Sequence, residues 1–174
     1  MKKTIIALVG ASGSGKTALS MRLKKKGYPV ICSYTTRPMR EGEIYGVDHI
    51  FATDKDVPPI ENTLAYTFFG GYHYWASKNQ VDDYIPTIYV IDEKGLIDLR
   101  SKYKDEYNIT CVYITRPYND VDKERQDRDN GRVSLNDNDI DLRICNNYND
   151  VETFVETESD RIIDYIKNKT FKTE

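Results

Sequence analysis

Cysteine, histidine and tryptophan are scarce in this chain of 174 residues, which holds three, two and one of them. Cys32, Cys111 and Cys145 lie far apart, with no C-x-x-C pair and no Cys/His cluster. That excludes the usual spacings of a structural zinc site. An odd cysteine count without a framework points to a reducing compartment, and each thiol beside apolar or β-branched neighbours reads as buried and structural. Long hydrophobic runs are missing too, so no segment is suited to span a membrane. Ile5 to Val9 follows Lys2 and Lys3 in the manner of a signal peptide, but it is short and a polar glycine-rich stretch comes next. A buried first strand explains it better, and a cytoplasmic location is expected. There is no basic excess: net charge is -3 and the pI is near 5.5. A general nucleic-acid binder would carry a basic face, so neither nucleic acid nor membrane is an expected partner.

What is present is a folding composition, 39% hydrophobic and 30% charged, at a length that suits one domain with small inserted lobes. Thr4 to Val9 has the aliphatic pattern of a central parallel strand. Gly10 to Gly15 is a turn of small residues. Lys16 to Lys26 reads as a helix ended by Gly27. Further strands are expected at Pro29 to Ser33, Thr87 to Asp92, Ile109 to Thr115 and Ile140 to Cys145. Helices are expected at Lys78 to Asp83, Leu96 to Lys104 and Val151 to Asn168, the last with Val151, Phe154, Val155, Ile162, Ile163 and Ile166 as its apolar positions. Strands alternating with helices imply an α/β fold: a parallel five-stranded sheet with helices on both faces. The core would comprise residues 1–33, 83–115 and 140–168. Residues 34–82 and 116–139 break the alternation and read as a lobe and a lid inserted at the strand carboxyl ends, where ligands bind in such sheets.

GASGSGKT, Gly10 to Thr17, matches GxxxxGK[ST] with a strand before it and a helix after it. Glycines let consecutive backbone N–H groups turn inward around an anion, and the helix N-terminus adds a favourable field. Gly10, Ala11, Ser12, Gly13, Ser14 and Gly15 would cradle the phosphates of ATP. Lys16 would place its charge on the β and γ phosphates, and the Thr17 hydroxyl would reach Mg2+. No NKxD segment follows, which sets a switch GTPase behind a kinase.

A kinase for a small phosphorylated acceptor needs a second phosphate cradle facing the first. SYTTRPMREGEIYGVDHIF, Ser33 to Phe51, offers one. Arg37 and Arg40 can fork onto phosphate, with Ser33 and tyrosine hydroxyls nearby. Nine of the twenty aromatic residues lie between Tyr34 and Trp75 and could hold a nucleobase. Both histidines, His49 and His73, fall in the same stretch. No general base is required, because an acceptor phosphate oxygen is already ionised at neutral pH.

This segment resembles the acceptor-binding stretch of guanylate kinases, S-x-T-T-R-x-x-R-x-G-E-x-x-G-x-D-Y-x-F, keeping Ser33, Thr35, Thr36, Arg37, Arg40, Gly42, Glu43, Gly46, Asp48 and Phe51. FFGGYHYWAS is similar to the family's G-N-Y-Y-G-T stretch, and TIYVIDEKG to its D-x-D-x-x-G strand end. The resemblance implies a P-loop kinase fold. It implies that Ser33, Arg37, Arg40 and Tyr74 hold the acceptor phosphate, that Asp92 lies on the acceptor side, and that an arginine-bearing lid closes over ATP. Departures concentrate at the base. The family's phosphate-binding tyrosine falls at His49 and its guanine-reading glutamate at Ala65. Its guanine-contacting hydroxyl falls at Ala76, and the first aspartate of D-x-D at Val90. Glu61 could replace the missing glutamate only in another register.

KERQDRDNGR supplies the lid candidates Arg125, Arg128 and Arg132, which would stabilise the transferring phosphoryl group; an exposed helix of alternating charges is the plain alternative. Asn147, with Asn146, occupies the region where the family contacts adenine, or merely forms a turn before the last helix. The function expected is ATP-dependent phosphorylation of a nucleoside 5'-monophosphate, with GMP, dGMP or another monophosphate as acceptor. The alternatives are a catalytically silent binding module of the same fold and, further off, a P-loop kinase for a sugar or other non-nucleotide phosphate. Monomer and homodimer both remain open.

Overall fold

Strand β1, Lys3–Val9, is the centre of the sheet because both of its faces are apolar. In the computed structural model, which describes residues 2–117, 129 and 131–170, Ile5, Ala7 and Val9 point into one core and Ile6 and Leu8 into the other. That alternation is the period of two expected of a strand covered on both sides. Helix α1, Lys16–Lys25, follows the glycine-rich turn and packs on the second core through Leu19 and Leu23.

The lobe comes next, built on short strands β2 (Tyr34–Thr35), β3 (Ile50–Phe51), β4 (Ala65–Phe69) and β5 (Tyr72–Ala76). They form their own sheet in the order β3-β2-β5-β4. Gly70 and Gly71 make the β4–β5 turn with positive φ, a conformation that favours glycine. The chain then returns to the main sheet as β6 (Thr87–Val90), followed by helix α2 (Glu93–Tyr103), β7 (Tyr107–Thr115), β8 (Leu142–Cys145) and helix α3 (Val151–Thr170). The main sheet runs β6-β1-β7-β8, all parallel, with α2 on one core and α1 and α3 on the other.

The expected fifth strand at Pro29 to Ser33 is reduced to a single parallel bridge, Val30 to Ile88, beside β6. Pro29 has no N–H to extend the ladder. The Cys32 carbonyl instead takes the side-chain amide of Gln80, at 2.8 Å, as the chain turns into the lobe. The helix expected at Lys78 to Asp83 is one 3-10 turn, Lys78–Gln80, boxed by Ser77 and Gln80. Val151 is exposed rather than apolar packing: α3 starts there, before its buried face, and Asp150 caps it by accepting from the Thr153 N–H. Cys111 is buried as expected, its thiol pushed up to about 12 by burial, but Cys32 is half-buried and Cys145 is exposed on the edge strand β8.

Candidate active site

The turn between β1 and α1 is shaped by two close approaches. A Cβ on Gly10 would stand 2.0 Å from the Ile114 carbonyl oxygen, and one on Gly15 would stand 2.5 Å from the Phe154 ring. Both also have positive φ, 145° and 101°. Only glycine fits either place. The first turn of α1 has no side-chain cap and no acidic residue, which leaves its N–H groups for an anion. Lys16 curls over this turn, its Nζ 2.6 Å from both the Gly10 and Ala11 carbonyl oxygens. Burial lowers its pKa from 10.5 to about 8, and the Arg132 charge pushes the same way. The Thr17 hydroxyl is exposed at the helix start.

Three further side chains reach the turn. Asn146 donates to the Ser14 carbonyl at 3.0 Å, and Arg116 to that of Gly13 at 3.1 Å. The Asp129 carboxylate accepts the Ser12 N–H, at 3.1 and 3.2 Å to its two oxygens. A carboxylate seated on an inward-pointing amide shows that this loop holds anionic oxygen. Arg132 joins the group: it donates to the Gly10 carbonyl at 2.7 Å and pairs at 2.7 Å with Glu93, whose side chain is 3% exposed.

The second cluster lies on the lobe. Arg37, 7% exposed, forms a two-pronged pair with Glu43 at 2.7 and 3.0 Å and donates to the Pro38 carbonyl at 2.7 Å. Three of the five donors a guanidinium carries are thus committed. The Arg37 hydrogen bonds hold the Glu43 pKa down at about 2, aided by the Arg40 N–H. Tyr74 borders a cavity beside Arg37. His49 Nδ1 is 3.0 Å from the Ser33 hydroxyl, and its ring meets those of Phe51 and Tyr74 edge-on. Burial first, and then the Arg37 charge, lowers the His49 pKa, so the ring is neutral at neutral pH.

The two clusters face each other. A single cavity of about 260 Å3 is lined by Ser12, Lys16 and Arg132 on one side and by Ser33, Arg37, Arg40, His49 and Tyr74 on the other. Asp92 also borders it, with one oxygen accepting the Gly95 N–H at 2.7 Å to start helix α2. The chain therefore brings together most residues singled out in the sequence. Asn147 does not join them: it is exposed and bonded to Cys145, while Asn146 holds the loop. Arg125 and Arg128 lie outside the described residues. Glu61 is exposed and does not border the cavity. The sequence does not single out Glu93, and Asp129 reads there as one acid of a solvated loop, whereas the structure seats it on the Ser12 N–H. Glu93 was findable, since an acidic residue placed directly after Asp92 at the carboxyl end of β6 faces the loop on β1.

No family model matches the chain. Known proteins do. A guanylate kinase of Wolinella succinogenes is 31% identical over 160 residues, which cover 87% of this chain and 72% of that protein. The chain belongs to the guanylate kinase family. Another relative, the guanylate kinase of Chlorobium luteolum, is 30% identical over 131 residues, 70% of this chain and 65% of that one. Among solved structures, guanylate kinase from Anaplasma phagocytophilum superposes with a TM-score of 0.67 at 19% identity, covering 97% of this chain and 86% of the other. That likeness establishes the fold: a P-loop kinase, here with four full strands and one bridge in its parallel sheet.

Proposed function

We propose that the chain is a kinase that moves the γ-phosphoryl group of ATP to a nucleoside 5'-monophosphate, giving the diphosphate. The observation that carries the reading is the shared cavity: the loop lysine Lys16 and the arginine cluster Arg37–Arg40 open onto one space. Two phosphate sites on one cavity are what an in-line transfer between two anions needs. The names of the relatives support GMP among the acceptors.

In this reading the inward N–H groups from Gly10 to Thr17 bind the ATP phosphates. On ATP binding Lys16 leaves the Gly10 and Ala11 carbonyls and turns to the β and γ oxygens. Arg37 and Arg40, with Ser33, His49 and Tyr74, hold the acceptor phosphate. Glu43 keeps Arg37 in place, because a bidentate pair fixes the plane of the guanidinium. Arg132 lies beside Lys16 and would stabilise charge on the transferring group, as would Arg125 and Arg128 from the lid. Asn147 is kept as an adenine-side contact. Asp92, which borders the same cavity, would lie on the acceptor side.

The residues fit a magnesium ion. The exposed Thr17 hydroxyl is a hard oxygen donor at the helix start and makes no hydrogen bond among the described residues. Mg2+ bound there with phosphate oxygens would neutralise charge on the β and γ phosphates. A coupled assay of ADP release checks the reading. Release that depends on an added monophosphate, and that disappears in Lys16→Ala, is expected. Absence of acceptor-dependent release with every ribo- and deoxynucleoside monophosphate contradicts it and leaves a silent binding module.

A further inference from the structure

Beyond the phosphate clusters, the cavity wall is nearly free of carboxylates. Ala65, Thr67 and Phe69 alternate along β4, so all three belong to one strand face and border the cavity. Tyr89 of β6 borders it from the main sheet. Its ring is 3% exposed, and its hydroxyl makes no hydrogen bond among the described residues. The ring is buried, while the hydroxyl is not among the buried atoms that lack a partner, so it keeps contact with the cavity and can donate to or accept from a ligand there.

Guanine presents two adjacent donors, its ring N–H and its amino group. They call for a carboxylate with both oxygens free. No described residue supplies one here. Asp92 is the one carboxylate bordering the cavity, and its Oδ1 is committed to the Gly95 N–H. Asp98 does not border the cavity, and its Oδ2 accepts from the Tyr66 N–H at 2.9 Å and from Lys102 at 2.7 Å. Glu61 is exposed away from the cavity. Tyr66 borders the cavity too, but its hydroxyl is paired with His73 at 2.8 Å, so outside the phosphate clusters the neutral hydroxyls without a hydrogen bond among the described residues are Thr67 and Tyr89, set among Ala65, Phe69 and Val90.

Hydroxyls both donate and accept. They suit a base edge of carbonyl, ring N–H and carbonyl, with an apolar wall for a methyl group. We infer that the acceptor base is read by the Tyr89 and Thr67 hydroxyls, and that the site takes a thymine- or uracil-type monophosphate at least as well as a guanine one. The inference rests on the monophosphate-kinase reading for its ligand class, but base preference is separable from turnover.

Calorimetry on the full chain measures dTMP, dUMP, dGMP and dAMP binding directly, and the ADP-release assay measures kcat/KM for each. The expected result is dTMP binding as tight as dGMP or tighter, in both readouts. Tyr89→Phe should then weaken dTMP about fivefold with ATP affinity unchanged, the size of one lost neutral hydrogen bond. Thr67→Val serves the same purpose if Tyr89→Phe does not fold. Ala65→Glu should shift preference toward dGMP by tenfold or more. Tighter dGMP than dTMP binding by the unaltered chain overturns the inference and leaves the kinase reading intact. Binding of dTMP without turnover of any monophosphate supports the base assignment and removes the kinase reading. Unchanged dTMP affinity in both hydroxyl variants also overturns it.

Discussion

The carboxylate of Asp129 sits on the backbone N–H of Ser12, at 3.1 and 3.2 Å, in the loop that would hold the ATP phosphates. Arg132 steadies it from 3.3 Å. An anionic side chain on that amide competes with an anionic ligand. Asp129→Asn removes the charge but keeps the shape. ATP should bind about tenfold more tightly to the variant, since a charge-assisted hydrogen bond is worth about 1.5 kcal/mol or more. Calorimetric titration of ATP tests this, and weaker binding would count against the competition.

Lys16 should take up a proton when ATP binds. Its pKa is lowered from 10.5 to about 8 by burial, with Arg132 acting in the same direction. Phosphates brought to its side favour the charged form. At pH near 8.5 the free chain is partly deprotonated at Lys16 and the complex is not. Titrations in buffers of different ionisation heat should therefore report proton uptake, lost in Lys16→Met. The sign for folding follows from the same shift. Between about pH 8 and 10.5 the unfolded chain binds more protons at this group, so its contribution raises stability as pH rises through that window.

Arg37→Ala should raise the acceptor KM more than tenfold and leave ATP binding unchanged, because it deletes a charge-assisted phosphate contact. Glu43→Gln should raise it by a smaller factor, several-fold, by releasing the plane of Arg37. The Glu43 pKa is held down at about 2, so the stability this pair adds is present above the ordinary carboxylate value of 4.5 and fades only as pH falls toward 2. Steady-state kinetics with acceptor and ATP varied separately distinguish the two variants.

Arg132→Ala should cost about 3 kcal/mol of stability, since it leaves the buried Glu93 carboxylate without its partner. The double variant Arg132→Met with Glu93→Gln should recover most of that loss while remaining impaired in turnover. Thermal unfolding beside the kinetic assay separates the structural from the catalytic share.

The two clusters that border the cavity were legible in the sequence because they are written in local spacing. GASGSGKT fixes the loop within eight residues, and SYTTRPMREGE fixes the arginine cluster within eleven. The main sheet was legible through strands apolar on both faces, such as β1. What escaped depended on tertiary meetings. Glu93 is buried only because Arg132, 39 positions on, reaches it. Tyr89 reads in TIYV as one more core residue, and only the tertiary fold sets it on the cavity wall. The strand at Pro29 to Ser33 was overread because apolar character does not reveal where a ladder stops. Asn146 and Asn147 are chemically equal in sequence, and only packing against Gly15 and Ser14 separates them.

Phosphorus NMR of the full chain with ATP, Mg2+ and one monophosphate at a time observes both products at once. ADP and the nucleoside diphosphate of the added acceptor should appear in equal amounts and should vanish together in Lys16→Ala. ADP without acceptor diphosphate, or no change with any monophosphate, contradicts phosphoryl transfer across the cavity between Lys16 and Arg37.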